Sequence, residues 1–364
     1  MPNSSKDNST PWRAETRLEA EGLIEVDGAR GEGGGQIIRT SVALSSLIGQ
    51  ETRICNIRAG RPNPGLQAQH VCAIEGVARL CDAVVKGNRV GSTEILFSPG
   101  RVKPGQYKMS VGTAGSVTLV LQACLLASAR TPQPFIFEVM GGTNVRWSPP
   151  IDFYELTLFP QLERMGARCA LVEMKRGFYP EGGGRAVVRW EPPSRFLPLN
   201  LERRGGLKHL KGRVFTQNLP EHVAQRMAAA FRKSFLGANI SLYTERSLGD
   251  STGAGIFILA DFENCLLSAD GLGERGVPAE KVGEDAAQAL KKEIHSAATV
   301  DAHAADQLLP FMALAEDESR VVVREITGHL QSQADLMRRF LNASIDFEPI
   351  DRGVLLRVKP QPYI

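Results

Sequence analysis

The feature that most constrains this chain is an internal repeat. Residues 23–100 read as a strand ending in Asp27-Gly28, a glycine loop (GEGGGQ) and an apolar helix (GQIIRTSVALSSLIG). A strand (TRICNI), the loop RAGRPNPG, a second helix (LQAQHVCAIEGVARLCDA) and two strands around VVKG and TEILFSPG follow. Residues 107–190 repeat that order: YKMSV, GTAGS, the helix VTLVLQACLLASA, the strand FIFEVM, the loop GGTNVRWSPP, the helix DFYELTLFPQLERMG and two closing strands. Each unit is β-α-β-α-β-β, and the spacing from Gly35 to Gly60 resembles that from Gly115 to Gly141. A partial third copy follows near the C-terminus, with the helix AADQLLPFMALA, the strand SRVVVREI, a loop TGHLQS, the helix ADLMRRFLN and two strands. In such arrays a site can be assembled from equivalent loops of successive copies.

Residues 202–297 interrupt the rhythm. A basic, glycine-bearing stretch (ERRGGLKHLKG) reads as a linker. It leads into the strand GRVFTQN, the helix EHVAQRMAAAFRKSF, strands around NISLYTE and GAGIFILADF, and the helix PAEKVGEDAAQALKKEIH. The expected organisation is a mobile N-terminal extension (1–22), a body formed by 23–201 and 298–364, and an inserted α/β domain (202–297). The fold class is α/β, or α+β, built of repeated βαβαββ units.

The length of 364 residues suits this plan, and 43% hydrophobic with 23% charged residues is ordinary for a globular enzyme. A formal charge of +3 neither announces nor excludes a nucleic-acid partner, because a basic groove can sit within a balanced total. The six cysteines form no CxxC pair and lie mostly in apolar runs. They read as reduced thiols of an intracellular, cytoplasmic protein rather than a zinc site. No apolar run reaches membrane-spanning length.

Chemistry concentrates in the loops. GEGGGQ joins a strand to a helix, where bare amides and the helix start favour an anion. No GK[ST] follows, and Gln36 stands where a dinucleotide fingerprint would end in glycine. The alternative for GEGGGQ is a plain tight turn. Glu32 could bind a ribose hydroxyl or a divalent metal. GTAGS repeats the theme with Ser116 and Thr118, and Gln122 follows in its helix. RAGRPNPG sets Arg58 and Arg61 in a stiff loop, suited to phosphate oxygens or, equally, to a solvated surface. Gln69 and His70 follow on the next helix, where a lone histidine is more often structural. Of the six histidines, His303 opens DAHAADQLL beside Asp306 and Gln307, and His329 lies in TGHLQS. Residue chemistry alone leaves both open as nucleophiles toward phosphorus.

In this order GEGGGQIIR, RAGRPNPGLQAQH, GTAGSVTLVLQ, GGT…SPP, GFYPEGGG, the ADQL helix and the GHL loop resemble the RNA 3′-terminal phosphate cyclases. The likeness runs from about Leu23 to the C-terminus. It implies a fold related to the enolpyruvyl transferases and a ligase of RNA processing that uses ATP and a divalent metal, Mg2+ or Mn2+. A histidine takes AMP from ATP, passes it to an RNA 3′-terminal phosphate, and the neighbouring 2′-hydroxyl closes a 2′,3′-cyclic phosphate. The resemblance places the adenylylated histidine on His329 and the nucleotide pocket on Gln122, Pro149 and His303, Ala304, Ala305, Asp306 and Gln307. It places phosphate, metal or RNA-end contacts on Glu32, Gln36, Arg39, Arg58, Arg61, Gln69 and His70, with Glu32 the metal candidate. Many relatives carry tyrosine at the position of His303, a residue taken to stack on adenine. A homodimer is left open.

Three rival readings are weaker. Inactive scaffold relatives lack the histidine that this chain has. A lysine-adenylating ligase needs KxDG, whereas the string here is Glu25-Val26-Asp27-Gly28. An enolpyruvyl transferase would not carry the full motif order.

Overall fold

In the first two repeats a glycine turn feeds the first strand into a helix, so the chain reverses and lays that helix against its sheet. The computed structural model describes residues 22–361. The expected N-terminal extension, Gly22 apart, lies outside them. The first repeat contains β1 (Ile24–Asp27), α1 (Gly35–Ile48), β2 (Thr52–Cys55), α2 (Ala68–Cys81), β3 (Val84–Lys86) and β4 (Ile95–Ser98). The second contains β5 (Gly105–Ser110), α3 (Val117–Ala127), β6 (Phe135–Gly141), α4 (Ile151–Phe153), α5 (Phe159–Arg164), β7 (Arg168–Lys175) and β8 (Gly184–Glu191). Between α4 and α5 the helix passes through a π-turn, Tyr154–Leu158. Pro160 has no amide proton, so the ordinary ladder is interrupted there.

The two sheets have one topology, β1-β2-β4-β3 and β5-β6-β8-β7, each with one parallel and two antiparallel pairings. The third copy proves complete. Its first strand is β9 (Asn200–Leu201), which pairs in parallel with β14 (Ser319–Val323) in the sheet β9-β14-β16-β15. Its other parts are α8 (Ala302–Met312), α9 (Gly328–Leu341), β15 (Ser344–Ile350) and β16 (Gly353–Lys359). The stretch expected as the loop TGHLQS is the cap and first turn of α9. Thr327 accepts a hydrogen bond from the Leu330 amide, as an N-cap threonine does.

Residues between β9 and α8 form a fourth sheet, β11-β10-β12-β13, from β10 (Leu207–Gln217), β11 (Ile240–Ser247), β12 (Gly253–Phe262) and β13 (Leu266–Leu272). The helices α6 (Glu221–Ser234) and α7 (Ala279–His295) cover one face. Half of the expected linker is therefore the start of β10. The strand β13, which is not among the expected elements, closes the sheet.

Helices fill the centre and sheets lie outside. Every residue of α3 is buried and α1 is buried from Gln36 to Leu47, while β5 alternates between buried and open positions. Helices α1, α2, α3, α8 and α9 pack on one another. Each buried Leu or Ile there contributes roughly 1.5–3 kcal/mol. The consequence for function is positional: the starts of α1, α3, α8 and α9, all near chain reversals, are brought to one region. All six cysteines are unpaired. Among the described residues no helix is long and apolar enough to cross a membrane.

Candidate active site

The site is built around the glycine turn before α1 and the start of α9. Gly328 has no side chain, and a Cβ there would lie 2.5 Å from Glu32 Oε1. The glycine leaves room for the Glu32 carboxylate to rest on the first turn of α9, and a side chain there would push it aside. One residue on, His329 Nδ1 sits 2.8 Å from Gln36 Oε1 and 3.0 Å from Glu32 Oε2. Both neighbours are oxygens, so Nδ1 carries the ring proton and donates it. The neutral ring then keeps its lone pair on Nε2. Burial lowers the imidazole below its ordinary pKa, with Arg39, His303 and Arg61 in the same direction. Glu32 opposes them. The ring is therefore neutral near pH 7 and half exposed.

A second close approach fixes the cationic side. A Cβ on Gly35 would fall 2.0 Å from His70 Nε2 and 2.8 Å from Arg39 Nη1. His70 Nδ1 accepts from the Gln67 amide at 3.0 Å, and this reciprocal cap starts α2. Burial, with Arg39 and Arg58 adding to it, pushes the His70 pKa down to about 3, so His70 is a neutral donor through Nε2. Arg39 is 5% exposed, has no ion pair among the described residues, and its Nε has no partner. Burial lowers its pKa to about 10, with Tyr154 and Asp306 only partly opposing. Arg61 donates to the Glu32 carbonyl at 2.8 Å and so ties the arginine loop to the glycine loop. Arg58 instead donates to the carbonyls of Asn63 and Gly65, shaping its own loop.

The floor comes from the second and third repeats. Gln69 accepts from the Ser116 amide at 3.2 Å, joining α2 to the turn before α3. Thr118 donates to the Pro149 carbonyl at 2.8 Å, which places the GGTNVRWSPP loop over the start of α3. The Tyr154 hydroxyl lies 2.6 Å from the Thr118 carbonyl and 3.4 Å from Gln307 Oε1. Gln122 and Asp306 are buried, each with one oxygen lacking a partner. Burial raises the Asp306 carboxyl to about 7, against the pull of His303. Asp301 caps α8 through the Ala304 amide, which leaves His303 open to solvent in the first helical turn. Ala304 and Ala305 are buried and offer only backbone and packing.

Glu32, Gln36, Arg61 and His329 are thus in direct contact, and Arg39 and His70 meet beside Gly35. His303, Asp306 and Gln307 line up on α8, and Pro149 and Gln122 join them through α3. Arg58 is spent on its loop. Sequence reasoning missed Tyr154, whose signal was a tyrosine among the apolar positions of its helix. It missed Gln333 as well, wholly buried on α9 with both amide atoms unpartnered. A broad open depression lined by Arg164, Asn200, Glu202, Arg203 and Glu263 contains none of the expected residues.

A buried arginine nitrogen without a partner, beside an imidazole whose second nitrogen makes no contact, marks the class of proteins with a cationic pocket suited to an anionic ligand. The match to known proteins narrows it. A family model described as RNA 3′-terminal phosphate cyclase matches residues 30–347. An RNA 3′-terminal phosphate cyclase of Methanopyrus kandleri is 44% identical over 334 residues, 89% of this chain and 95% of that one. One of Thermococcus onnurineus is 45% identical over 339 residues, 90% and 96% of the two chains. One of Nitrosospira multiformis is 41% identical over 349 residues, 93% and 97%. The chain belongs to the RNA 3′-terminal phosphate cyclase family. Among solved structures, the enolpyruvyl transferase NikO from Streptomyces tendae aligns over 93% of this chain and 66% of its own. The identity is 10% and the TM-score 0.26.

Proposed function

We propose that this chain converts an RNA 3′-phosphate to a 2′,3′-cyclic phosphate with ATP, through AMP held on His329 Nε2. The observation that carries the reading is the Nδ1 contact with Gln36 and Glu32, which leaves Nε2 free beside an unpaired buried arginine. In the first step the Nε2 lone pair bonds to the α-phosphorus, and the bond to the bridging oxygen breaks, releasing pyrophosphate. An oxygen of the RNA 3′-phosphate then attacks that phosphorus, and the N–P bond returns its electrons to the imidazole. Last, the 2′-hydroxyl oxygen attacks the activated 3′-phosphorus, gives up its proton, and AMP leaves.

The residues supply charge and position, which is most of what phosphoryl chemistry requires. Arg39, Arg61 and His70 neutralise and bind phosphate oxygens, and Arg58 holds the loop that presents Arg61. Gln69 and Gln36 fix the two helix starts. The pocket from His303 to Gln307, with Gln122 and Pro149, holds the nucleoside, and His303 stacks on the base. No three His, Cys, Asp or Glu side chains cluster as a metal cage among the described residues. A magnesium or manganese ion held by Glu32 together with substrate phosphates fits that single carboxylate. It would supply further neutralisation of the leaving pyrophosphate. Residues 202–297 form an inserted domain in this reading. Cytoplasmic location and a homodimer remain proposals from the sequence.

The test is incubation with ATP labelled at the α-phosphate, followed by mapping of the acid-labile adduct. Wild type carries label on His329 and His329→Ala carries none. Label retained by His329→Ala but lost in His303→Ala would reject the assignment.

A further inference from the structure

A side-chain strut joins the inserted sheet to the start of α8. Asp301 caps α8 with Oδ1, accepting from the Ala304 amide at 2.9 Å. Its Oδ2 accepts from the Ser268 amide at 2.9 Å and the Ser268 hydroxyl at 2.8 Å. Ser268 lies on β13, and side chains two apart on a strand share a face. Asp270 therefore projects from the same face of β13 that Ser268 turns to α8. His303 stands two residues beyond Asp301, in the first turn of α8, and lies near enough to Asp270 for its charge to act on that carboxyl.

The surroundings of Asp270 agree. Its side chain stays open to solvent. With Gly271 and Leu272 it lines a small cavity whose other side includes Ser148 and Pro150, the neighbours of Pro149. Its carboxylate makes no hydrogen bond or ion pair among the described residues, while its backbone pairs with Phe257 in the sheet. The charged groups facing it are His303, Asp152 and Asp301. Burial raises its pKa to about 6, His303 pulling down and the two aspartates pushing up, so it is mainly ionised at pH 7.5.

We propose that Asp270 reads the base of the bound nucleotide, accepting a hydrogen bond from the exocyclic amine of an adenine stacked on His303. The inserted domain would then be one wall of the nucleotide pocket. An ionised carboxylate only accepts, so it favours a base that turns an amine toward it and penalises one without a donor there. A site built around such a bond rejects the analogue that lacks it. The inference rests on the reading of His303 to Gln307 as the nucleotide pocket.

The experiment compares two substrates for adduct formation by the full-length protein: ATP and purine riboside 5′-triphosphate, which lacks the 6-amine. Wild type is expected to prefer ATP in kcat/KM by about tenfold or more. Asp270→Ala should bring the ratio close to one, mainly through a raised KM for ATP. Asp270→Asn keeps one acceptor oxygen and nearly the same shape, so it should fall between. An Asp270→Ala protein that slows both substrates equally, or keeps the wild-type ratio, overturns the inference. Wild type that forms no adduct with ATP at all would instead reject the nucleotide-site reading beneath it.

Discussion

Among the described residues two arginines are buried, and they are handled in opposite ways. Arg176 is 2% exposed and Arg39 is 5% exposed. Arg176 donates twice to Asp152 at 2.9 Å, twice to Glu245 at 2.7 and 2.8 Å, and once to Asn144 at 3.1 Å. Its guanidinium also lies 3.8 Å over the Phe215 ring. Burial alone would lower its pKa, but Asp152 and Glu245 hold it above the ordinary value. Arg39 has no such partners, and burial wins. A buried charge costs several kcal/mol unless it is paired. Arg176 meets that cost inside the fold, binding the second repeat to the inserted sheet. Arg39 leaves it unmet inside the fold. The first is architecture, and the second is the arginine proposed above to bind phosphate.

The contrast fails or holds first at Arg176. Arg176→Met strips five hydrogen bonds and leaves Asp152, with no exposed side-chain surface, to Asn144 and Arg213. Urea unfolding should show a loss of about 3–5 kcal/mol. A loss under about 1 kcal/mol would mean that the network is not structural. Arg39→Met should do the reverse. It breaks no ion pair, so stability should hold or rise, while the rate of adduct formation falls on the order of 100-fold, as for loss of a charge-stabilising donor. Unfolding of Arg39→Met at the cost seen for Arg176 would erase the distinction.

Asp306 sharpens the comparison, because it is the carboxylate nearest in charge to Arg39 and yet does not pair with it. Its folded pKa of about 7 lies above the ordinary 3.8, so the folded state holds this proton more tightly than the unfolded chain. The group costs nothing below about pH 4. Its penalty grows as pH rises and is complete above about 7. Asp306→Asn should therefore gain on the order of 4 kcal/mol at pH 8 and almost nothing at pH 4. A gain independent of pH would contradict the ionised, unpaired state.

The same contrast shows what the sequence could disclose. Repeats one and two were readable because each carries a glycine turn, an apolar helix and two closing strands. The third repeat looked partial because its first strand is only Asn200–Leu201, with residues 202–297 placed before its partner. The start of α9 looked like a loop because threonine and glycine open it. The cap and the Glu32 contact that justify them lie far away in sequence. Chemistry near His329 was visible as residue types but not as geometry, since Gln36 reaches it across 293 positions. Arg176 gave no signal, because Asp152 and Glu245 come from two different segments. Arg39 did give one in hindsight: a charge inside IIRTSV on the buried face of an apolar helix.

Arg61 provides the mildest test, at the exposed end of the scale. Unlike either buried arginine, it stands in solvent and donates one hydrogen bond, to the Glu32 carbonyl at 2.8 Å. Water can replace that bond, so Arg61→Ala should change stability by no more than about 0.5 kcal/mol. Its effect on chemistry has two parts. The glycine loop loses a tether beside the carboxylate that faces His329, and the phosphates lose one exposed cation. Together these should slow adduct formation by about tenfold. The cationic part is screened by salt, so the gap between Arg61→Ala and wild type should narrow between 0.05 and 0.5 M salt, on the order of a Debye-length effect. Arg61→Lys separates the two parts. It keeps the charge but not the planar reach to the carbonyl. A lysine variant at wild-type rate would assign Arg61 to charge alone, and one as slow as alanine would assign it to holding Glu32.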